Sequence, residues 1–243
     1  MKIALIGYGK MGKAIEEIAL QRGHDIVAKI DATGSLTALS DQQVDVAIEF
    51  TRPDAAVQNI LFCMEHAIPV VVGTTAWNHE FARVKEAVDA KNGALLYASN
   101  FSVGVNIFFE INRRLAQLMN PHTEYTASIE EIHHLQKLDA PSGTAVSIAN
   151  DILGSSVKLE RWKLGEETAP EVQPDELAIT SFRQPDVPGT HVVSYRSEVD
   201  TLEIRHEAHS RKGFALGAVV AAEFLNGKKG IFTMSDVLKI THE

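Results

Sequence analysis

The sequence predicts an α/β protein of two domains. The first is an open parallel sheet covered on both faces by helices. The second is α+β, with a mostly antiparallel sheet. Three observations predict this. Short apolar runs alternate with helix-spaced segments from residue 2 to about residue 103. A glycine-rich turn joins the first run to the first helix. Beyond Asn106 the pattern becomes one long helix, followed by runs that alternate apolar and polar residues.

The first strand, Lys2 to Ile6, runs into Gly7-Tyr8-Gly9-Lys10-Met11-Gly12 and a helix from Lys13 to about Arg22. Gly23-His24-Asp25 stops the helix, and a second strand, Ile26 to Ile30, ends at Asp31. Strand, G-x-G-x-x-G turn, helix, and a strand ending in an acid make a Rossmann-type dinucleotide fingerprint. Gly7 permits the tight turn, Gly9 lets a pyrophosphate approach the backbone, and Gly12 lets helix and sheet pack closely. Asp31 is placed to accept hydrogen bonds from ribose hydroxyls. The alternative is a glycine-rich turn in an α/β domain without a ligand.

Asp45 to Phe50 is the next strand, and Pro53 opens a helix to about His66. The lone cysteine, Cys63, lies on an apolar face of that helix and reads as core. The strand Ile68 to Val72 ends at Gly73-Thr74-Thr75, and a helix follows with Phe81, Val84 and Val88 on one face. A strand from Ala94 to Ala98 leads into Ser99-Asn100-Phe101-Ser102. These loops leave the carboxyl ends of parallel strands, the rim where such a sheet binds its ligand. Gly73, Thr74, Thr75, Ala98, Ser99, Asn100 and Phe101 are therefore expected to join the glycine turn and Asp31 at the cofactor.

A helix from Val105 to about Met119 opens the second domain and leads to the strand beginning near Tyr125. Strand alternation puts His133 on the face of Ile129 and Glu131, with His134 opposite unless the strand has ended. Lys137 follows in a loop, and Asp139-Ala-Pro-Ser-Gly143 is turn chemistry. Ser142-Gly143-Thr144 stands where a helix begins, and the unpaired N–H groups there favour a carboxylate or phosphate. The same residues also suit an ordinary turn and N-cap. The segment thus offers a titratable acid, a fixed positive charge and an anion cradle. No metal is expected: two histidines facing opposite ways need a bend to share an ion, and a charged lysine is no ligand. Residues 155–175 are polar and suggest no element. Three strands follow, Leu177 to Arg183, Thr190 to Arg196 and Thr201 to Ala208; the last carries Leu202, Ile204 and His206 on one face. A sheet face without a covering helix is expected here, apolar and meeting another subunit. The chain closes with a helix from Phe214 to Leu225, a loop and a short helix. The expected domains are 1–103 with 210–243, and 104–209. Hinges near Ser102–Gly104 and Ala208–Ser210 would close them around both ligands.

Composition narrows the partners. The 243 residues carry a formal net charge of −9, which argues against nucleic acid. A single cysteine rules out an internal disulfide and fits a reducing, cytoplasmic setting. No apolar run reaches membrane-spanning length, and the first residues lack a signal-peptide layout.

Taken together, the motifs resemble the dihydrodipicolinate (4-hydroxy-tetrahydrodipicolinate) reductase family over nearly the whole chain. The matching stretches are Gly7 to Gly12, Phe50-Thr-Arg-Pro, Val72-Gly-Thr-Thr, Asn100-Phe-Ser-Val-Gly-Val-Asn, His209-Ser-Arg and, most specific, His133-His-Leu-Gln-Lys-Leu-Asp-Ala-Pro-Ser-Gly-Thr-Ala. The resemblance implies NAD(P)H-dependent reduction of a cyclic dicarboxylate in lysine and diaminopimelate biosynthesis, usually by a homotetramer. It implies His133 as proton donor and Lys137 as its cationic helper. It further implies that His134, Ser142, Gly143 and Thr144 hold the substrate carboxylate. Pro185 stands where the family's Arg-x-Gly run has Gly, within Arg183-Gln-Pro-Asp-Val-Pro-Gly-Thr-His. Ala32-Thr33-Gly34 brings no arginine to the ribose, so both NADH and NADPH are expected to work, NADH modestly better because of Asp31. Two other readings remain: a non-catalytic NAD(H)-binding redox sensor, and another imine or amino-acid dehydrogenase on the same scaffold.

Overall fold

The computed structural model describes residues 1–40, 42–210 and 212–240. Arg211, the end of the His209-Ser-Arg stretch, lies outside the described residues. The chain forms two compact units, Met1–Val103 with Lys212–Glu243, and Gly104–Arg211.

The first unit contains β1 (Lys2–Ile6), α1 (Lys10–Gln21), β2 (Asp25–Ile30), β3 (Val46–Glu49), α2 (Pro53–Glu65), β4 (Val70–Val72), α3 (Phe81–Lys91) and β5 (Ala94–Tyr97). All of these strands run parallel. Every residue of β3 and β4 is buried, because helices cover both faces of the sheet and leave no solvent side to alternate toward. One core packs α1 against the sheet through Ile15 and Ala19. The other packs α2 and α3 through Ile60, Cys63, Val84 and Val88. Register aligns Ile6 with Ile30 and Glu49, Glu49 with Val72, and Val72 with Tyr97. The loops that start at Gly7, Asp31, Phe50, Gly73 and Ala98 therefore leave one rim.

The second unit holds most of α4 (Val103–Met119), then β6 (Thr126–His133), α5 (Gly143–Ser155), β7 (Arg161–Glu166), β8 (Glu176–Arg183), β9 (Gly189–Arg196) and β10 (Thr201–Ala208). Its sheet order is β10-β9-β6-β8-β7. The sheet is mixed. β9 pairs antiparallel with β6 and β10, whereas β8 runs parallel to β6 and β7. Alternation shows that a strand is half-buried but not its direction, so the parallel half was invisible in the sequence. β7 occupies the span that suggested no element. Phe108 and Ala116 of α4, with Ile148 and Ile152 of α5, pack on Ile129, Ile179 and Val193. The opposite face differs from the apolar one expected. There a row across four strands reads Thr180, Glu130, Val192, Arg205. Glu130 and Arg205 are exposed, and Thr180 and Val192 are buried.

The chain then returns to the first unit with α6 (Lys212–Leu225), β11 (Gly230–Phe232) and α7 (Met234–Val237). β11 adds a sixth parallel strand beside β5, in what read as a loop; three residues are too few to show a period. α6 packs closely because Gly217 has no side chain: a Cβ there would lie 1.6 Å from the Phe101 carbonyl oxygen.

Candidate active site

In the first unit, Gly7, Gly9, Lys10, Met11, Phe50, Thr51, Pro53, Gly73, Thr74 and Thr75 line a cavity of about 380 Å³ at the strand rim. Gly7 has φ +97°, and a Cβ on it would come 1.9 Å from the Phe50 carbonyl oxygen. A Cβ at Gly73 would come 2.2 Å from the Phe50 ring. Gly9 is the N-cap of α1 without a side-chain cap, and nothing lies within 4 Å of where its Cβ would be. The start of α1 thus opens onto free space, as a pyrophosphate requires. Gly12 lies one turn into α1, where a Cβ would meet the Gly7 carbonyl oxygen at 2.5 Å. These residues fit a dinucleotide.

The remaining predicted contacts divide. Asp31 is exposed at the end of β2, and the Thr33 backbone N–H and hydroxyl, at 2.9 and 2.8 Å, hold its carboxyl below the usual range. Tyr8 hydrogen-bonds Glu16, and the Lys29 ammonium sits 5.1 Å from the Tyr8 ring centre and 2.5 Å from Glu16. Lys29 is therefore committed locally. Ala98 and Ser99 leave β5 at the same rim, and Asn100 Oδ1 accepts from Ser102 N at 2.9 Å. The Phe101 side chain is core, 2% exposed and 5.7 Å from the Phe50 ring. Only its backbone remains to meet a ligand. Phe50 and Thr51 are cavity residues that periodicity missed, since they look like the end of a strand.

In the second unit, β6 ends at His133, so His134 already lies in the loop. His133 is 7% exposed. Its Nδ1 faces Glu131 Oε2 at 3.4 Å and makes no hydrogen bond among the described residues. Burial pushes the imidazole down to about 4; Glu131 pulls it up, and Lys137 and Arg183 press it down. Lys137 Nζ pairs with both Asp139 oxygens at 2.8 Å. His134 is half-buried, with Nδ1 unpartnered among the described residues.

Ser142 is more inward than expected. It is 2% exposed, caps α5 by accepting from Ala145 N at 3.1 Å, and donates its own N–H to Glu131 at 3.0 and 3.1 Å. Val146 N bonds the Ser142 carbonyl, which leaves Gly143 and Thr144 as the uncommitted N–H donors of that turn among the described residues. Glu131 itself is fully buried. Burial would raise its carboxyl, but hydrogen bonds from Ser142 and Ser181 and the nearness of His133 hold it below the usual range. Glu131, His133 and His191 bring one ligand-type atom each within 4.8 Å of one another. Both Glu131 oxygens already accept hydrogen bonds, and Arg183 Nη2 stands 3.6 Å away, so the group is built as a hydrogen-bonded network beside cations.

Known proteins resemble this chain over nearly its whole length. Residues 1–101 match the family model described as dihydrodipicolinate reductase, N-terminus, and residues 104–238 match its C-terminus counterpart. A 4-hydroxy-tetrahydrodipicolinate reductase of Christiangramia forsetii is 53% identical over 238 residues, 98% of each chain. A dipicolinate-bound dihydrodipicolinate reductase from Paenisporosarcina sp. TG-14 shares the fold, with a TM-score of 0.75 at 21% identity, covering 96% of this chain and 97% of that one. A probable dehydrogenase from Thermotoga maritima is a more distant fold match, with a TM-score of 0.58 at 10% identity, covering 98% and 92%.

Proposed function

The chain belongs to the dihydrodipicolinate reductase family, and we propose that its two units divide the reaction: Met1–Val103 with Lys212–Glu243 holds the dinucleotide, and Gly104–Arg211 holds the ring. The protein is an oxidoreductase that reduces 4-hydroxy-tetrahydrodipicolinate in lysine and diaminopimelate biosynthesis, with a nicotinamide dinucleotide as cofactor. The reduced nicotinamide supplies the hydride.

The chain's own residues do the rest. Once water has left the hydroxylated ring, hydride reaches C4 of the resulting α,β-unsaturated imine and leaves an enamine, and His133 donates the proton that the adjacent ring carbon needs. In the free protein the imidazole is largely neutral at pH 7, because burial and two cations disfavour its charge. A bound dicarboxylate reverses that balance and lets the proton settle on His133 close to its acceptor. Lys137 supplies positive charge to the anion and to the charge that develops during transfer. His134 and the N–H groups of Gly143 and Thr144 hold a carboxylate, while Ser142 acts from beneath as the cap that fixes their turn. The observation that carries this reading is the placing of one buried imidazole against a carboxylate, beside two cations and a helix start.

NADH and NADPH both serve, with NADH modestly preferred. Asp31 is exposed and held in its charged form at the ribose position, and Lys29, the nearest cation on that strand, is occupied by Glu16. Assembly as a homotetramer rests on the family resemblance, and the reducing cytoplasm suits the single buried thiol of Cys63. Among the described residues no helix is long and apolar enough to cross a membrane. Steady-state turnover of the hydroxylated ring with each dinucleotide tests the reading. Turnover with both, up to tenfold better with NADH, is expected. Dinucleotide binding without turnover would favour a redox sensor instead.

A further inference from the structure

Register places Ser181, Glu131, His191 and His206 directly opposite one another on β8, β6, β9 and β10, on the helix-covered face. At the centre of this row Glu131 is 0% exposed, with His191 at 4% and Ser181 at 2%. Glu131 Oε1 accepts from Ser181 Oγ at 2.6 Å, and both oxygens accept from Ser142 N. Ser142 Oγ lies 3.2 Å from His191 Nε2, which is 3.8 Å from Glu131 Oε2. The His133 and His191 rings meet edge to face at 5.2 Å between centroids. On the far side of His133, a Cβ at Gly189 would come 3.1 Å from Nε2, so the missing side chain keeps that nitrogen clear.

We propose that Glu131 is the positioning residue of this enzyme: a buried carboxylate, held by Ser142 and Ser181, that turns His133 with Nδ1 inward and Nε2 free and offsets the charge of the imidazolium formed on substrate binding. The inference rests on the reading of His133 as proton donor. A buried carboxylate fixed by hydrogen bonds can orient an imidazole and stabilise its cation without being protonated itself. The present 3.4 Å separation is the long distance common before ligand binding, and it shortens once Nδ1–H belongs to a cation. The other charged or titratable groups facing His133 are Lys137 and Asp139 from the loop, Arg183 from β8 and His191 from β9. Three of these are cationic or neutral and Asp139 is held by Lys137 at 2.8 Å, whereas Glu131 Oε2 faces His133 Nδ1 at 3.4 Å, so among the described residues Glu131 is the carboxylate placed to offset a charged His133. The same residue fixes the substrate turn through the Ser142 N–H, which ties the acid and the carboxylate cradle to one frame.

The test uses Glu131→Gln, which keeps size and removes charge. In the complex with pyridine-2,6-dicarboxylate, the His133 imidazole, assigned by the signal lost in His133→Gln, should titrate about one to three pH units lower than in the wild type. The alkaline limb of the kcat profile should move toward acid by a similar amount, while dinucleotide affinity, the check on folding, stays unchanged. A purely structural role would lower kcat at every pH without moving the limb. Glu131→Asp keeps the charge but withdraws it by one methylene from His133 and should give a smaller shift of the same sign. If Glu131→Gln does not fold, that variant decides. An unmoved His133 titration or an unmoved limb in the folded variants overturns the proposal. Near-normal turnover in His133→Gln would instead sink the donor assignment, while leaving the titration result to speak for Glu131.

Discussion

Binding of a dianionic ring analogue at pH 7 should draw about one proton onto His133. Burial sets the free imidazole at about 4. Charging it at pH 7 therefore costs about 4 kcal/mol, three pH units at ~1.4 kcal/mol each. Two carboxylates arriving ~5 Å away, at an effective dielectric constant of ~20, each contribute about 3 kcal/mol toward that charge. Their sum of about 6 kcal/mol exceeds the cost, so the protonated state wins in the complex. Calorimetric titration of pyridine-2,6-dicarboxylate in two buffers of different ionisation enthalpy reads the proton count directly. About one proton should be taken up by the wild type and about none by His133→Gln. Affinity should also weaken about tenfold per pH unit as pH rises, until the pKa of the complex is passed. A binding enthalpy independent of buffer at pH 7 would refute the reasoning, because His133 would then already carry its charge or never acquire it.

Two further outcomes follow from the first unit. Gly7→Ala combines positive φ, about 1–2 kcal/mol, with a collision against the Phe50 carbonyl, about 1–3 kcal/mol. It should lower Tm and weaken dinucleotide binding at least tenfold, as measured by melting and fluorescence titration; unchanged affinity would show that the turn does not hold the cofactor. Glu49 is fully buried and its pKa is raised, chiefly by burial, against hydrogen bonds from Thr51, Thr74 and Asn59. A raised carboxyl pKa gives stability that is present at low pH and lost as pH rises through the folded-state value. Glu49→Gln should therefore raise Tm, with a gain that grows as pH rises above the ordinary carboxylate range; a gain independent of pH would contradict this.

The parallel sheet was legible because burial on both faces turns its strands into plain apolar runs, Val70-Val-Val being the clearest, separated by helix starts and glycine turns. The second sheet was legible only in part. Thr201–Ala208 shows its alternation, but in β7 the alternation Arg161-Trp-Lys-Leu lasts only four residues within a polar stretch, too short to stand out. Strand direction there depends on the path of the chain through α5, not on any local pattern. At the site, the His133, Lys137 and Ser142 segment stood out because its residues are contiguous. Glu131 did not, since a lone glutamate in a strand looks like a solvent-facing residue. Its burial depends on Ser181 and His191, 50 and 60 residues away, which only strand pairing brings together. Ser142 misled in the other direction: a serine at a helix start reads as an open contact, and here it faces inward to Glu131.

The proton-donor role of His133 is tested by the turnover number of His133→Gln with 4-hydroxy-tetrahydrodipicolinate at saturating NADH. The donor role of His133 predicts a fall of about a hundredfold or more, the usual scale of general acid catalysis, with NADH affinity unchanged because the proposed dinucleotide site lies in the other unit. Turnover near that of the wild type would contradict it and pass the proton to Lys137 or to water.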